Sequence, residues 1–416
     1  MEQIDWKVYK YKIESCSVDI GEDEPIKIEP GMIQSFYIEK NYDNDYLPIF
    51  IFNVLMGAYN YQRITNAKDY ATITLTINLL IDKGENNYEN AGTYLSDAFT
   101  ILPTENNPFI DKKTYDNMVS GSTYGEGTVA MTDMTNSYSF ILARKADLAS
   151  TKNIVNNVIT KGTMLTAATY AMQQSGCSNV LMTNPDNGTM YDELLLLPVP
   201  LINQLKYLNS YYGFYKEGAQ IFFDFDRTYF IRKNAACTAY DDTEIKDVTI
   251  FAYDNSNGNE YGKGSHIDDL SRMGYINSGI DQFKINDLST TSAQYLGNNS
   301  TIINNSGDVS TTSKNSTEGD ATTFNIITTS SHNNYITDER QLRLTELKCV
   351  VSVTTSNCDL RILTPNRCYH VLTTDSKAAE QVSGNFRLAS IQIMFIRDGG
   401  AYTNMVEITL KKSEPS

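Results

Sequence analysis

The sequence predicts a mainly β protein interrupted by an α/β block, with a long polar insertion in its second β-region. Three observations predict it. Apolar residues in the first third recur every second position, those from Leu148 onward recur at helical spacing, and the last 75 residues return to alternating runs. At 416 residues the chain is long for a single hydrophobic core, so two to four domains are expected.

The first β-region is carried by "ATITLTINLLID", where Ile73, Leu75, Ile77 and Leu79 line one face of a strand. Upstream, "MIQSFYIEKNYDNDYLPIFIFNVL" gives two β-rich runs around Asn41 to Asp45, whose Asn and Asp residues favour a tight turn, so a hairpin is expected. "SYSFILAR" adds a strand with Phe140 and Leu142 on one face. Residues 83–136 between them are rich in Gly, Asn and Thr and read as long loops with one short helix.

The period then changes. "LASTKNIVNNVITKGTMLTAATYAMQQSG" places Ile154, Val155, Val158 and Ile159, then Met164, Leu165, Ala168 and Met172, at helical spacing, which predicts two helices split at Gly162 and stopped at Gly176. A short strand "NVLM" and a turn "NPDNG" follow. Pro200 suits a first helical turn, Leu201, Leu205 and Leu208 form the apolar stripe, and Gly213 should end that helix. "AQIFFDFDRTYFI" reads as a strand pair or one long strand.

"DVTIFAYD" opens the second β-region. Residues 289–334 hold 27 Ser, Thr or Asn in 46, too little apolar surface to repay their ordering entropy, so they form a long loop or are ordered only by a partner. "CVVSVTT", "LRILTP", "CYHVLTT", "NFRLASIQIMFIRDGG" and "NMVEITLKK" then read as strands. "RDGG" is a hairpin turn flanked by Ile393, Phe395, Ile408 and Leu410. The expected division is a first β-domain over 1–147, an α/β domain over 148–240 and a second β-domain over 241–416 carrying the insertion 289–334.

Composition narrows the partners. A net charge of −16 with no Lys/Arg run lacks the basic field that nucleic acid or an anionic membrane needs. The N-terminus has no apolar signal-like region and no 18-residue apolar run occurs, so neither cleaved secretion nor membrane spanning is expected. Cys16, Cys177, Cys237, Cys349, Cys358 and Cys368 are scattered without a CxxC pair, which reads as buried thiols in a reducing cytoplasm. Tyrosine, at 28 copies against one Trp, buries ring area while its hydroxyl finds a partner, a hint of protein contacts.

The densest aromatic stretch, Lys206 to Ile231, has ten aromatic side chains in 26 positions and ends on Asp224 and Asp226. Two carboxylates at this spacing on a strand share a side, as in the metal-binding DxD of nucleotide-sugar glycosyltransferases. The competing reading is a structural polar face, with Arg227 and Lys216 as neutralising partners, and no Rossmann-like β-α series accompanies the pair. His266, His332 and His370 lack an HExxH-like partner, and neither a GxSxG elbow nor a GxxxxGK[ST] loop occurs. "GEGT" at 125–128 and "GKGS" at 262–265 read as flexible loops. No catalytic, cofactor-binding or metal-ligating residue is assigned, no cofactor is expected, and the chain reads as a non-enzyme.

Three stretches carry a resemblance. "YIEKNYDNDYLPIFIFNVLM", "LLPVPLINQLKYLNSYYGFYKEGAQIFFDFDRTYFI" and "TPNRCYHVL...SGNFRLASIQIMFIRDGG" resemble the baseplate hub proteins of contractile phage tails, which share their plan with type VI secretion spike proteins. The resemblance implies two tail-tube-like β-barrel domains flanking the α/β module, and a homotrimer whose six barrels match the six-fold tail tube above and the three-fold central spike below. It also implies contact with surrounding baseplate wedge proteins, part of the DNA channel, and a place in the virion after assembly in the bacterial host cytoplasm. The spike proteins of type VI systems continue into their own spike, and no such segment follows before Ser416. On this plan acidic lumen residues keep DNA from sticking, and Tyr207, Tyr211, Tyr212, Phe214 and Tyr215 become core and domain-interface anchors. A phage adhesin or receptor-binding tail protein, and a DxD metal-dependent glycosyltransferase, are the alternatives.

Overall fold

The computed structural model describes residues 2–3, 7–43, 47–67, 70–85, 87–102, 135–177, 180–215, 219–225, 227–232, 247–252, 349–373, 379 and 382–412. Between 266 and 325 it describes the backbone of 266–267, 273–277, 283–287, 299–303, 309–313 and 324–325. In chain order the principal elements begin with β1 (Val8–Asp19), β2 (Ile33–Asn41), β3 (Ile49–Gly57), α1 (Ala58–Thr65), β4 (Thr72–Asp82), β5 (Tyr88–Leu102) and β6 (Thr135–Arg144). The middle of the chain gives α2 (Lys145–Lys152), β7 (Ile154–Gly162), α3 (Met164–Ser175), β8 (Val180–Met182), β9 (Tyr191–Pro200), α4 (Leu201–Tyr211), β10 (Ala219–Phe223) and β11 (Thr228–Arg232). The remainder gives β12 (Asp247–Ala252), β13 (Met273–Asn277), β14 (Phe283–Asp287), β15 (Cys349–Ser356), β16 (Cys368–Thr373), β17 (Phe386–Asp398) and β18 (Ala401–Lys412).

The protein is mainly β, and its centre is a closed antiparallel barrel. Hydrogen bonding runs β17-β2-β3-β6-β5-β4-β1-β18, and β18 pairs back onto β17. Six strands come from residues 8–144 and two from the far end of the chain, so the last hairpin closes what the first strands begin. That hairpin turns through Gly399 and Gly400 between paired Asp398 and Ala401. Gly399 has φ 62, a left-handed backbone that glycine adopts without steric cost.

Alternation places the barrel core: Ile73, Leu75, Ile77 and Leu79 are fully buried, as are Phe36, Phe50, Phe52 and Phe395. Phe36 stacks on Phe395 at 4.1 Å across the β2–β17 seam. In β1 the inward set is Tyr11, Ile13, Cys16 and Val18, and its parity changes where a bulge lies between Ile13 and Ser15. A second group of strands grows from the same long hairpin. β15 pairs with β18 and carries β14, while β16 meets β17 at Tyr369 and Phe386 and lies parallel to β12, which is in turn parallel to β13. Tyr11 and Asn404 bind the loop beside β15: the Tyr11 hydroxyl donates to the Cys358 carbonyl at 2.8 Å, as does Asn404 Nδ2 at 3.0 Å.

The middle module packs α3 and α4 on the β7–β9 ribbon and the three-stranded sheet β8-β11-β10. Its core holds Met164, Ala168, Leu194, Leu196, Leu201, Leu205 and Leu208. Both expected helix stops occur: Gly176 caps α3 at φ 75, and Gly213 follows α4 at φ 72.

Three sequence expectations are corrected. Residues 154–162 form strand β7, not a helix, because Ile154, Val155, Val158, Ile159 and Thr160 are β-branched and the 191–200 segment offers a partner. Residues 88–102 form a 15-residue strand rather than loop. Two bulges against β4, after Ile77 and after Leu79, break the alternation that would have announced it. "LRILTP" holds a short 3-10 turn at Leu360–Ile362, not a strand, because the Asp359 carboxylate accepts from Arg361 N at 2.9 Å and Tyr11 accepts from Leu360 N at 2.9 Å. Within 289–334, the described strands Asn299–Ile303, Val309–Ser313 and Phe324–Asn325 pair with one another. The loops at 125–128 and 262–265 lie outside the described residues.

Candidate functional site

The aromatic stretch singled out in the sequence becomes the junction between module and barrel. "AQIFFDFDRTYFI" is a strand pair, β10 and β11, in antiparallel register from Ala219↔Arg232 to Phe223↔Thr228. Its two faces belong to different cores. Ile221 and Phe230 pack with Phe214 and Tyr215 in the module, whereas Phe222, Tyr229 and Ile231 pack in the barrel cluster. A strand buried on both faces reads as a continuous apolar run rather than an alternating one, which accounts for the local density of rings.

The tip of this hairpin enters the barrel mouth. The Phe225 ring lies 5.6 Å from Phe99 and 6.1 Å from Phe50, centroid to centroid. Asp224 is at the same tip, 4% exposed, and not on a strand's polar face as expected. Its carboxylate accepts from Lys40 Nζ, from the Tyr42 hydroxyl at 2.8 Å and from Phe225 N at 2.6 Å. Burial and then the Asp224 charge push the Tyr42 phenol well above its ordinary value, so it remains a protonated donor. The Lys40 ammonium also sits over the Phe225 ring, 4.4 Å from its centroid. Around this pair Gln220 Nε2 donates to the Tyr42 carbonyl, and Arg144 donates to Asp97 at 2.5 Å and to the Asp224 carbonyl at 3.5 Å.

The sequence named the acidic partner and missed the basic one. Lys40 neutralises Asp224, while the expected partner Arg227 offers its carbonyl to Asp224 N at 3.0 Å. Lys216 and Asp226 lie outside the described residues. A signal for Lys40 was present: in "FYIEKNY" the inward positions are Phe36, Ile38, Lys40 and Tyr42, and a lysine on a buried face requires an acid.

The five aromatics expected as anchors divide. Phe214 and Tyr215 are fully buried, the Tyr215 hydroxyl donating to the Thr183 carbonyl at 2.6 Å. Tyr207 and Tyr212 are half-buried, with Tyr212 edge-on to Tyr191 at 5.0 Å. Tyr211 is 67% exposed and is no core anchor of this chain. Cys16, Cys177, Cys358 and Cys368 are in no disulfide, and burial pushes the Cys16 and Cys358 thiols up to about 12, which leaves them unreactive. Cys237 and His332 lie outside the described residues. His370 Nε2 stands 3.2 Å from Asp247 Oδ1.

What fold and site define is a barrel protein whose most suspicious carboxylate fastens a neighbouring module. The chain belongs to the Bacteriophage PBS1 gene 109 protein family, whose model matches residues 7–413. No curated protein matches it. Among solved structures it is similar to the tail protein from Neisseria meningitidis MC58, at 10% identity and TM-score 0.48, with 97% of each chain covered. It is also similar to the 43 kDa tail protein of prophage MuSo2 from Shewanella oneidensis, at 9% identity and TM-score 0.49, covering 99% of this chain and 100% of that one. A third similarity is to the E. coli c3393 protein, described as a type VI secretion component structurally similar to the T4 bacteriophage tail proteins gp27 and gp5. There the identity is 9%, the TM-score 0.47, and coverage 97% of this chain and 77% of that one. The baseplate-hub resemblance read from the sequence agrees with the family membership. Among the described residues no helix is long and apolar enough to cross a membrane.

Proposed function

We propose that this chain is the structural hub at the centre of a phage tail baseplate, a homotrimer that adapts the six-fold tail tube to the three-fold spike and forms part of the DNA channel. Membership of a phage protein family over residues 7–413 supports the phage assignment. The single structural observation that carries the reading is the β17–β18 hairpin. It closes the barrel through β2 and β1 and extends beyond it into the strands around β15 and β16, so one chain presents two β-assemblies side by side. Two such assemblies in each of three copies make six units around an axis. The net charge of −16 suits a channel that a polyanion must pass without adhering.

The same geometry weighs against the glycosyltransferase reading, since Asp224 is buried, neutralised by Lys40 and already accepting from Tyr42 and Phe225 N. The purified chain, mixed with tail tube protein and with spike protein, distinguishes hub from adhesin. A hub yields three copies of this chain on the distal end of a tube, visible by electron microscopy and by mass. Density for the chain away from the tube axis in the assembled particle, or adsorption to cell-wall glycan without tube binding, overturns the proposal.

A further inference from the structure

We infer that Asp247, Cys368 and His370 form a structural binding site for a zinc-like divalent ion, clipping β12 to β16 where the two parallel strands begin. The register brings the three together. Asp247 and Cys368 are direct partners, and both open their strands. Side chains of register partners lie on the same face of a sheet, and the period of two returns His370 to the face of Cys368. One oxygen, one sulfur and one nitrogen ligand atom therefore converge, all within 4.8 Å of one another, with His370 Nε2 and Asp247 Oδ1 already at 3.2 Å.

Around a tetrahedral ion with bonds of about 2.0–2.3 Å, ligand atoms stand roughly 3.3–3.8 Å apart, so side-chain rotation of about 1 Å completes the set. The mixed donor set selects the metal class. A thiolate with an imidazole favours Zn2+ or another borderline transition ion and disfavours Mg2+ and Ca2+, which take oxygen ligands. Burial is graded to match: Cys368 is 5% exposed at the floor, while the His370 and Asp247 side chains are 34% and 47% exposed at the rim. Three protein ligands with an open rim leave a fourth position for water or for a ligand from a neighbouring chain. Spacing along the chain hides such a site, because Asp247 stands 121 positions before Cys368.

The test uses the full chain, stripped with chelator and titrated with Zn2+ against a chromophoric competitor, and separately with Co2+. One equivalent should bind per chain, and Co2+ should give a thiolate-to-metal charge-transfer band. His370→Gln is the informative variant, since its partly exposed side chain can be exchanged without opening the core. It should weaken Zn2+ affinity by more than the roughly 10- to 100-fold attributed to outer-shell partners. Asp247→Asn should weaken it too, and Cys368→Ser should abolish the Co2+ band, with far-UV circular dichroism confirming that each variant is folded. Zn2+ binding absent from the folded parent, or unchanged in folded His370→Gln, overturns the inference.

Discussion

Asp224→Ala tests whether the aromatic hairpin is fastened to the barrel by its tip. The substitution removes the acceptor of three donors: Lys40 Nζ, the Tyr42 hydroxyl and Phe225 N. The Lys40 side chain is only 9% exposed, so its ammonium is left buried without a counter-charge. Breaking a buried pair from one side costs about 3–5 kcal/mol, and an orphaned buried hydroxyl about 1–3 kcal/mol. The two penalties overlap because water entering the same gap relieves both, so about 4 kcal/mol is expected rather than their sum. Lys40→Ala should cost less, since Asp224 keeps the Tyr42 and Phe225 donors.

The double variant Lys40→Met/Asp224→Leu replaces both charges with apolar volume and should recover the part of the loss due to the stranded charge, leaving about 2 kcal/mol from the Tyr42 hydroxyl and Phe225 N that lose their acceptor. A chain with two cores need not unfold in one step, so the free energy is best read locally, by hydrogen exchange of peptides covering 36–43 and 219–232. A loss of protection under about 1 kcal/mol in Asp224→Ala, or a Lys40→Met/Asp224→Leu variant no more protected than Asp224→Ala, would refute the fastening.

Two further outcomes follow from the same architecture. Burial raises the Asp43 carboxyl, but Arg387 at 2.6 Å and Lys411 outweigh it and hold the group below its ordinary 3.8. A depressed folded pKa contributes stability above the unfolded pKa and loses it as pH falls through the folded one. Asp43→Asn should therefore lower the unfolding free energy read from urea titration near neutral pH by about 1–3 kcal/mol, with the gap closing below about pH 4; a gap constant down to about pH 2 would contradict the pairing. Phe225→Ala should cost about 3 kcal/mol by thermal unfolding because its ring fills the barrel mouth against Phe50 and Phe99, whereas Tyr211→Ala should stay within about 0.5 kcal/mol. Equal effects of the two would refute the division of anchors drawn here.

Local pattern carried the elements that face one core and failed where the environment was two-sided or long-range. Ile73 to Leu79 and Phe140 with Leu142 alternate against a single interior, so their strands were legible. Strand β5 was not, because two bulges shift its register against β4, and β7 was not, because four of its apolar positions also fit a helical period. Closure of the barrel was beyond any local signal: β18 meets β1 at Tyr402 and Tyr11, 391 positions apart, and only tertiary pairing fixes that neighbour. The triad of Asp247, Cys368 and His370 is hidden for the same reason.

The aromatic hairpin shows how aromatic density beside a buried carboxylate arises from packing. A sheet wedged between two cores needs large side chains on both faces, so its sequence loses the polar alternation that marks an ordinary surface strand. The turn at its tip must then cross into the barrel mouth, and its Asp224 is buried there. Such a group persists only with a counter-charge and hydrogen bonds, which Lys40 and Tyr42 supply from the inward face of β2. Aromatic density beside a buried, neutralised carboxylate is thus the expected mark of a doubly buried hairpin. The counter-charge it requires is a lysine placed at a core position 184 residues upstream of the acid it neutralises.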